Sequence, residues 1–157
     1  METEKLIKKV KEITIEFLTQ LGLDPEVEVG VKEEEEVKYI TVNLEGEHLS
    51  ELIGFHGKVF DSIQNILGLI VNKQLDLHEY RLLLEINDYR VQREEYLKQY
   101  AQRAAMEVKM NKSSLELSPM KPFERRIIHM VLKDDPEVLT ESTGEGNDRR
   151  IIIKYKE

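Results

Sequence analysis

The stretch Leu-Ile-Gly-Phe-His-Gly-Lys at residues 52–58 lies between two predicted helices and decides the interpretation of the first half of the chain. Gly54 and Gly57 allow the backbone to turn tightly and to approach a ligand where a Cβ would stand in the way. The helix that we expect to begin near Lys58 points its free N–H groups and its positive dipole end at this loop, which favours an anion there. The sequence therefore predicts a phosphate-binding loop, although a bare Gly-x-x-Gly is more often only a tight turn.

The hydrophobic pattern around this loop predicts three helical segments and three strands. Apolar residues that recur every three or four positions indicate helices, and strict alternation indicates strands. The predicted elements are an amphipathic helix at 3–21, antiparallel strands around 27–31 and 40–44, a helical turn at 49–53, a helix from 58 to about 70, and a buried strand at 82–86. Residues 1–87 are therefore expected to fold as α-β-β-α-α-β. The acidic run at 33–36 is most simply a solvated turn.

A Gly-x-x-Gly loop between two helices, after two strands and before a third, resembles the type II KH domain. In that domain the loop clamps the backbone of about four nucleotides of single-stranded RNA or DNA. The resemblance implies RNA contacts from Ile53, Gly54, Phe55, His56, Gly57 and Lys58. KH domains often have basic residues at the two central loop positions, where this chain has Phe55 and His56. Phe55 could stack on a base or cap the core, and His56 could pair with phosphate when protonated or have no special role.

Residues 88–157 are predicted to form a second module, which is joined to the first by a long helix rather than by a flexible linker. The expected elements are that helix from 89 to about 110, an extended segment at 115–117, a proline-containing loop at 118–122, a helix at about 123–133, and strands at 138–142 and 150–155. The intervening residues 143–148 are typical of a hairpin loop. The fold class expected for the whole chain is α+β, with two small modules at 1–87 and 88–157.

Arg125 and His129 are four residues apart on the predicted helix, so both side chains project from one face. Such a pair alone is common by chance, but its context Ser118-Pro-Met-Lys-Pro-Phe-Glu-Arg-Arg-Ile-Ile-His resembles the Arg-x-x-x-His domain, which binds single-stranded nucleic acids. The alternative is an ordinary amphipathic surface helix. The resemblance implies that basic residues gather where this helix meets the hairpin and contact phosphates: Lys121, Arg125, Arg126, Arg149 and Arg150. Arg126 could instead pair with Glu124 or another carboxylate.

The two modules, in this order and joined by the long helix, resemble the bacterial Jag/KhpB family, whose members are also called SpoIIIJ-associated or EloR proteins. The resemblance covers nearly the whole chain but not the small N-terminal Jag domain and linker that relatives usually carry. It implies a cytoplasmic RNA-binding protein that acts as an RNA chaperone or post-transcriptional regulator. In relatives, such a protein partners a small stand-alone KH protein and influences peptidoglycan synthesis, cell elongation and division. Single-stranded DNA and self-association are the alternatives for ligand and partner.

Composition narrows the remaining classes of function. The chain has 157 residues and a formal charge of −8, which at first argues against a nucleic-acid ligand. The whole excess of negative charge lies in residues 1–57, which carry 6 basic and 14 acidic side chains, whereas residues 58–157 carry 17 of each. Without cysteine there is no thiol catalysis and no Cys-ligated metal, and the four histidines lack metal-binding spacing. No cofactor is expected.

Other classes of function are less favoured than RNA binding. No apolar run is long enough to cross a bilayer, so direct membrane insertion is not expected. An enzyme is disfavoured, because His129 and Glu124 would point about 140° apart on a helix and could not act as an acid-base pair. The scarcity of basic residues in the Gly-x-x-Gly loop leaves a protein-interaction or dimerisation module, with incidental RNA contact, as the second hypothesis.

Overall fold

The computed structural model describes residues 1–157 and divides them into two compact units, residues 1–89 (unit 1) and residues 90–157 (unit 2). Unit 1 contains α1 (Thr3–Gln20), β1 (Glu26–Glu34), β2 (Val37–Glu45), α2 (Lys58–Leu75) and β3 (Tyr80–Ile86). The next helix, α3 (Tyr89–Asn111), leads into unit 2, where β4 (Ser114–Glu116), α4 (Pro122–Leu132), β5 (Val138–Thr143) and β6 (Arg150–Tyr155) follow. Each unit pairs helices with one three-stranded sheet, which confirms the predicted α+β class.

Helix α1 is amphipathic and ends as its sequence predicts. Its buried stripe includes Leu6, Val10 and Leu18, which recur at helical spacing. The buried Thr14 hydroxyl lies on the same stripe and donates to the Val10 carbonyl at 2.8 Å, so its burial leaves no polar group unsatisfied. After the last turn Gly22 takes φ +76°, the left-handed conformation in which the chain leaves a helix.

The sheet of unit 1 has the order β1-β2-β3, with β1 antiparallel and β3 parallel to β2. Strands β1 and β2 extend further than predicted, since Glu34 still pairs with Val37 and only Glu35 and Glu36 form the turn. Both turn residues have positive φ, at 47° and 66°. This is the backbone that a two-residue hairpin requires, because it matches the twist of the strands.

The core of unit 1 fixes the start of α2. One face of the sheet and the apolar stripes of α1 and α2 form a single buried cluster, to which α2 contributes Phe60, Ile63, Leu67 and Val71. The first of the two middle helices of the α-β-β-α-α-β order is only a 3-10 turn, Ser50–Leu52. A second such turn, Phe55–Gly57, leads directly into α2. The Gly-x-x-Gly loop, which contains this second turn, therefore sits at the end of a helix that is anchored in the core.

The sheet of unit 2 is antiparallel and has the order β4-β6-β5, so β6 is its central strand. Ile151 and Ile153 of β6 are fully buried, together with Ile128 of α4. Helix α3 contributes small residues to the same core, among them Ala101 and Ala104, which allow its backbone to approach closely. Alternation along β6 leaves residues 150, 152 and 154 on the opposite, outer face of the sheet.

No helix of the chain combines the length and the apolar character that crossing a bilayer requires.

Candidate nucleic-acid interface

The Gly-x-x-Gly loop is shaped by its two glycines. Gly54 has φ +69° and ψ −172°, a conformation that is essentially confined to glycine. A Cβ at Gly54 would collide with the Val59 side chain and lie 3.2 Å from the Val59 amide nitrogen. Gly57, at φ +75°, is the residue before the first turn of α2. The two glycines thus hold the loop backbone against the N-terminal end of an 18-residue helix.

The two central loop residues stack on each other. The rings of Phe55 and His56 lie 3.9 Å apart between centroids and are inclined by 18°. Phe55 is 71% exposed, so of the two roles considered for it, capping the core does not fit its position. His56 has left-handed backbone angles, φ 53° and ψ 30°. Lys58 is exposed, whereas Ile53 packs its side chain against the core of unit 1. The loop therefore presents an aromatic surface and backbone, with one lysine.

In unit 2, α4 holds Arg125 and His129 on one face, and each side chain is fixed by a hydrogen bond. The Arg125 guanidinium Nη1 donates to the Met120 carbonyl at 2.6 Å. The His129 Nδ1 lies 2.7 Å from the Thr140 hydroxyl Oγ1 on β5. Partial burial and, secondarily, the positive charge of Arg125 lower the pKa of His129 below its usual value. The lowered pKa favours the neutral imidazole at pH 7, beside a guanidinium that stays charged.

This arrangement suits hydrogen bonding to a nucleotide. Arg125 keeps further N–H donors for a phosphate or a base edge, and a neutral His129 retains Nε2 as a donor or acceptor according to its tautomer. Both groups are held in position by bonds to the protein, so binding a ligand orders few additional side-chain rotations. No group of three or more His, Asp or Glu side chains in the chain could hold a metal ion.

A buried ion pair supports the N-terminal end of α4. Glu124 is 1% exposed, and its Oε1 accepts from Nε of Arg93 on α3 at 2.9 Å. Its Oε2 accepts from the Lys121 backbone N–H at 3.3 Å, as the third-position carboxylate of a capping box does. Sequence reasoning considered Arg126 as the partner of Glu124 and missed Arg93. The position of Glu124 three residues after Lys121 indicates a capping role, but no local pattern indicates a partner 31 residues earlier in the chain.

Two of the other predicted phosphate-binding residues lie near the start of α4. Lys121 directly precedes that helix. Arg149 is connected to it through the backbone, because the Met120 N–H donates to the Arg149 carbonyl at 3.2 Å. The Arg149 guanidinium donates to the Gly144 carbonyl at 2.8 Å and so braces the hairpin loop.

Arg126 and Arg150 depart from the predicted gathering of basic residues. Arg126 lines a groove of about 400 Å³ between α3 and α4, together with Phe123 and Met130, because it is displaced by about 100° around α4 from Arg125. Arg150 lies on the outer face of the sheet, where its Nη1 is 3.4 Å from a carboxylate oxygen of Glu116. Only part of the predicted cluster is therefore assembled around Arg125 and His129.

Comparison with known protein families gives a match in each unit. Residues 11–84 match the family described as "KhpA/KhpB, KH domain", and residues 95–155 match the Arg-x-x-x-His domain family. The first match contains the Gly-x-x-Gly loop, and the second contains Arg125 and His129. Together they cover most of unit 1 and most of unit 2.

The chain is also similar to curated bacterial proteins that are named RNA-binding protein KhpB. It is 40% identical to the protein of Clostridium symbiosum over 144 residues, which are 90% of this chain and 64% of that protein. It is 30% identical to the Bacillus subtilis protein over 78% of this chain and 60% of that protein. For the Lactiplantibacillus plantarum protein the identity is 26%, over 98% of this chain and 46% of that protein. The chain thus spans about half to two thirds of the length of these relatives.

Proposed function

The chain is a KhpB/Jag-type protein that carries a KhpA/KhpB-type KH domain followed by an Arg-x-x-x-His domain, and on this premise we propose that it binds single-stranded RNA without catalysing a reaction. The relatives' name, RNA-binding protein, supports the ligand class. In this proposal the loop of unit 1 and the Arg125/His129 face of unit 2 each bind part of one flexible strand. Single-stranded DNA is a competing ligand of the same chemistry.

The observation that carries the proposal is the fixed pair Arg125 and His129. A guanidinium held by the Met120 carbonyl and a neutral imidazole held by Thr140 offer a charged donor and an uncharged polar group side by side. A phosphate matches the first and a base edge or a 2′-hydroxyl matches the second, which is the combination that single-stranded RNA supplies.

The loop of unit 1 supports the same ligand by different means. The exposed ring of Phe55 is available for base stacking, and the N-terminal end of α2 favours a phosphate close to the loop. Because unit 1 carries 9 basic and 19 acidic side chains, its long-range field opposes RNA, whereas unit 2 carries 14 and 12. We therefore expect weak binding by the loop alone and useful affinity when both units contact one strand.

The direct test measures binding of fluorescent single-stranded RNAs of two lengths to the full chain. Arg125→Ala is expected to weaken binding by about tenfold, since it removes a charge-assisted hydrogen bond. The matched control is Lys133→Ala, which removes an exposed cation without an ion pair at the opposite end of the same helix and should change affinity by less than about twofold.

The loop variant for the same experiment is Phe55→Asp combined with His56→Asp, with Phe55→Ser and His56→Asn as the uncharged control. The aspartates add repulsion for phosphate, and Asp tolerates the left-handed backbone of His56. The loop variant and Arg125→Ala are each measured alone on a short RNA and together on a long RNA. The loss of binding free energy of the combined variant on the long RNA should exceed the sum of the two losses measured singly on the short RNA. Equal losses on both lengths would contradict the two-site proposal, and an unchanged affinity in Arg125→Ala would contradict the assignment of the ligand to unit 2.

A protein-interaction role is the second candidate, because α2 has an exposed apolar stripe. Val59, Ile66 and Leu69 are 38%, 45% and 70% exposed and lie seven and three residues apart, on one side of the helix. A small stand-alone KH protein, or a second copy of this chain, would bury this stripe, and the KhpA/KhpB name of the matched family supports a KH-type partner. Leu69→Glu should abolish such an assembly in size-exclusion chromatography with light scattering, while leaving RNA binding by unit 2 intact.

We extend the proposal to a cellular role as a cytoplasmic RNA chaperone or post-transcriptional regulator that affects peptidoglycan synthesis, elongation and division. Crosslinking in cells, followed by sequencing of the recovered RNA, tests it most directly. RNA recovery that falls to background in Arg125→Ala is the expected result. Recovery no better than background for the unchanged protein would contradict the proposed function as a whole.

A further inference from the structure

Helix α3 carries a stacked array of cations and aromatic rings that the Arg125/His129 site does not use. The Arg93 guanidinium carbon lies 5.3 Å from the centroid of the Tyr96 ring, and that of Arg103 lies 6.0 Å from the same centroid. The rings of Tyr96 and Tyr100 are nearly parallel, at 16°, with centroids 6.0 Å apart. The spacing of three, four and three residues places all four side chains on one side of the helix.

Only part of the array lies outside the core. Tyr96 is 48% exposed and Arg103 is exposed, whereas Tyr100 packs half-buried against the core of unit 2 and the Arg93 side chain is only 13% exposed. Packing in the core therefore does not account for the contact between Tyr96 and Arg103. Each cation–π contact of this kind is worth about 0.5–1 kcal/mol at an exposed site, enough to favour one side-chain arrangement.

The two arginines of the array differ in what their N–H groups do. Arg93 is committed to the buried Glu124. The only contact of the Arg103 guanidinium is with the Tyr96 ring, and Glu107, one turn further along α3, does not pair with it. A guanidinium that lies over a ring still directs its N–H groups outwards in its own plane, where they match the two oxygens of a phosphate. Arg103 is thus an exposed cation with unused donors.

We propose that Arg103, Tyr96 and Tyr100 form an additional single-strand contact, in which Arg103 binds a phosphate and the exposed tyrosine surface stacks against a base. This inference rests on the proposed function and extends the ligand beyond Arg125 and His129. Charge complementarity selects a nucleic acid, because an unpaired guanidinium beside aromatic rings is the combination that binds single strands without sequence preference.

The array is also continuous with the start of α4. Tyr96 contacts Arg93, Arg93 is paired with Glu124, and Glu124 accepts from the Lys121 backbone N–H. Lys121 directly precedes the helix that holds Arg125. In this proposal a strand bound at Arg125 crosses the N-terminal end of α4 to reach the array, so that unit 2 contacts more nucleotides than the Arg125/His129 pair alone.

The test compares Arg103→Ala, Arg103→Lys and Tyr96→Ala with Arg125→Ala in the full chain, with fluorescent single-stranded RNAs that are long or short. On the long RNA, Arg103→Ala should weaken binding about five- to tenfold and lower the salt slope by about 0.7, the value for one phosphate contact on a single strand. Arg103→Lys keeps the charge but loses the planar fork and should recover only part of the affinity.

Stacking has its own control. Tyr96→Ala should weaken binding at least about fivefold, whereas Tyr96→Phe keeps the ring and should stay within about twofold of the unchanged chain. A 4-thiouridine RNA should crosslink to the peptide that contains Tyr96 or Tyr100. The Arg103 and Tyr96 variants should keep the circular dichroism melting curve of the unchanged chain, since both side chains are exposed.

The outcomes separate this inference from the proposed function. If Arg103→Ala and Tyr96→Ala bind as the unchanged chain does while Arg125→Ala loses binding, the array is not a contact and the function stands. If the unchanged chain does not bind single-stranded RNA, both proposals fail. A loss in Tyr96→Phe as large as that in Tyr96→Ala would overturn the stacking assignment.

Discussion

The loop of unit 1 and the Arg125/His129 face of unit 2 are built from different parts of the chain. The loop owes its shape to backbone: two glycines with positive φ, and a 3-10 turn that leads into the end of α2. The face in unit 2 owes its shape to side chains that are fixed by hydrogen bonds: Arg125 donates to the Met120 carbonyl, His129 bonds to the Thr140 hydroxyl, and Glu124 accepts from Arg93. The same class of ligand can thus be approached by a positioned backbone or by positioned charges, and the two solutions depend on different residues.

The difference extends to charge. Unit 1 has a formal charge of −10, from 9 basic and 19 acidic residues, and unit 2 has +2, from 14 and 12. A site that uses backbone N–H groups and a helix end needs few cations, so it can persist in an acidic domain. A site that uses guanidinium groups binds an anion better where the surrounding basic and acidic residues are nearly equal in number. We therefore expect the two sites to respond differently to mutation, salt and pH.

Breaking the side-chain site should have the largest effect. Glu124→Ala leaves Arg93 in unit 2 with most of its surface buried and without its carboxylate partner, which typically costs about 3–5 kcal/mol of the free energy of unfolding. Chemical denaturation of the full chain, followed by NMR signals from both units, should show this loss in residues 90–157. A matched change of an exposed carboxylate, Glu145→Ala, should cost less than about 0.5 kcal/mol. Comparable losses in the two variants would contradict a supporting role for the ion pair.

Breaking the backbone site should cost somewhat less. Gly54→Ala forces a Cβ into the Val59 side chain at a φ of +69° that alanine avoids, and we expect a loss of about 2–3 kcal/mol in unit 1. Gly22→Ala is the control: its φ is also positive but nothing lies within 4 Å, so only the backbone penalty of about 1 kcal/mol applies. Amide hydrogen exchange in α2 reports the loss. Equal costs for both variants would mean that contact with Val59 does not shape the loop.

Salt should distinguish the two sites next. Arg125→Ala should lower the slope of log affinity against log salt by about 0.7, because one phosphate contact is lost from a single strand. Phe55→Ser with His56→Asn should reduce affinity a few-fold through lost stacking and leave the slope nearly unchanged. Fluorescence anisotropy between about 50 and 300 mM salt measures both slopes. If the slope of log affinity against log salt fell in the loop variant but not in Arg125→Ala, the loop and not Arg125 would supply the phosphate contact, which contradicts this prediction.

The smallest expected effect is on the titration of His129. Burial, and to a lesser extent the charge of Arg125, lower its pKa in the folded protein. The unfolded chain therefore binds more protons between the two pKa values, so the stabilisation from neutral His129 is full above the ordinary value near 6.5 and is lost as the pH falls through the lowered pKa. Arg125→Gln should raise the pKa of His129 without restoring the usual value, as NMR of the imidazole Cε1 proton would measure. A pKa that does not move would exclude Arg125 as a cause.

Much of the fold followed from the sequence because its signals are local. The stripe that contains Leu6 and Val10 predicted α1, and the alternation through Val27 and Val29 predicted β1. The i, i+4 spacing of Arg125 and His129 is likewise a property of one helix, and the structure places both on α4.

The rest depended on contacts between distant segments. Arg93 and Glu124 are 31 residues apart, and no local pattern pairs them. Thr140 contacts His129 only because β5 packs beside α4. Arg126 faces α3 only because of the orientation in which α4 packs in unit 2. Whether each predicted contact residue binds RNA stays a prediction, since the sequence and the fold define positions and not ligands.

The central position of β6 has a consequence for synthesis on the ribosome. Strands β4 and β5 both pair with β6 and not with each other, and the Leu117 and Met120 N–H groups also bond to carbonyls of residues 149–151. Because β6 is the last of these segments to be translated, β4 and β5 leave the exit tunnel with no strand to pair with. Unit 1, whose segments all precede residue 90, can by contrast fold while unit 2 is still being made. The nascent chain therefore acquires its loop site before its arginine site.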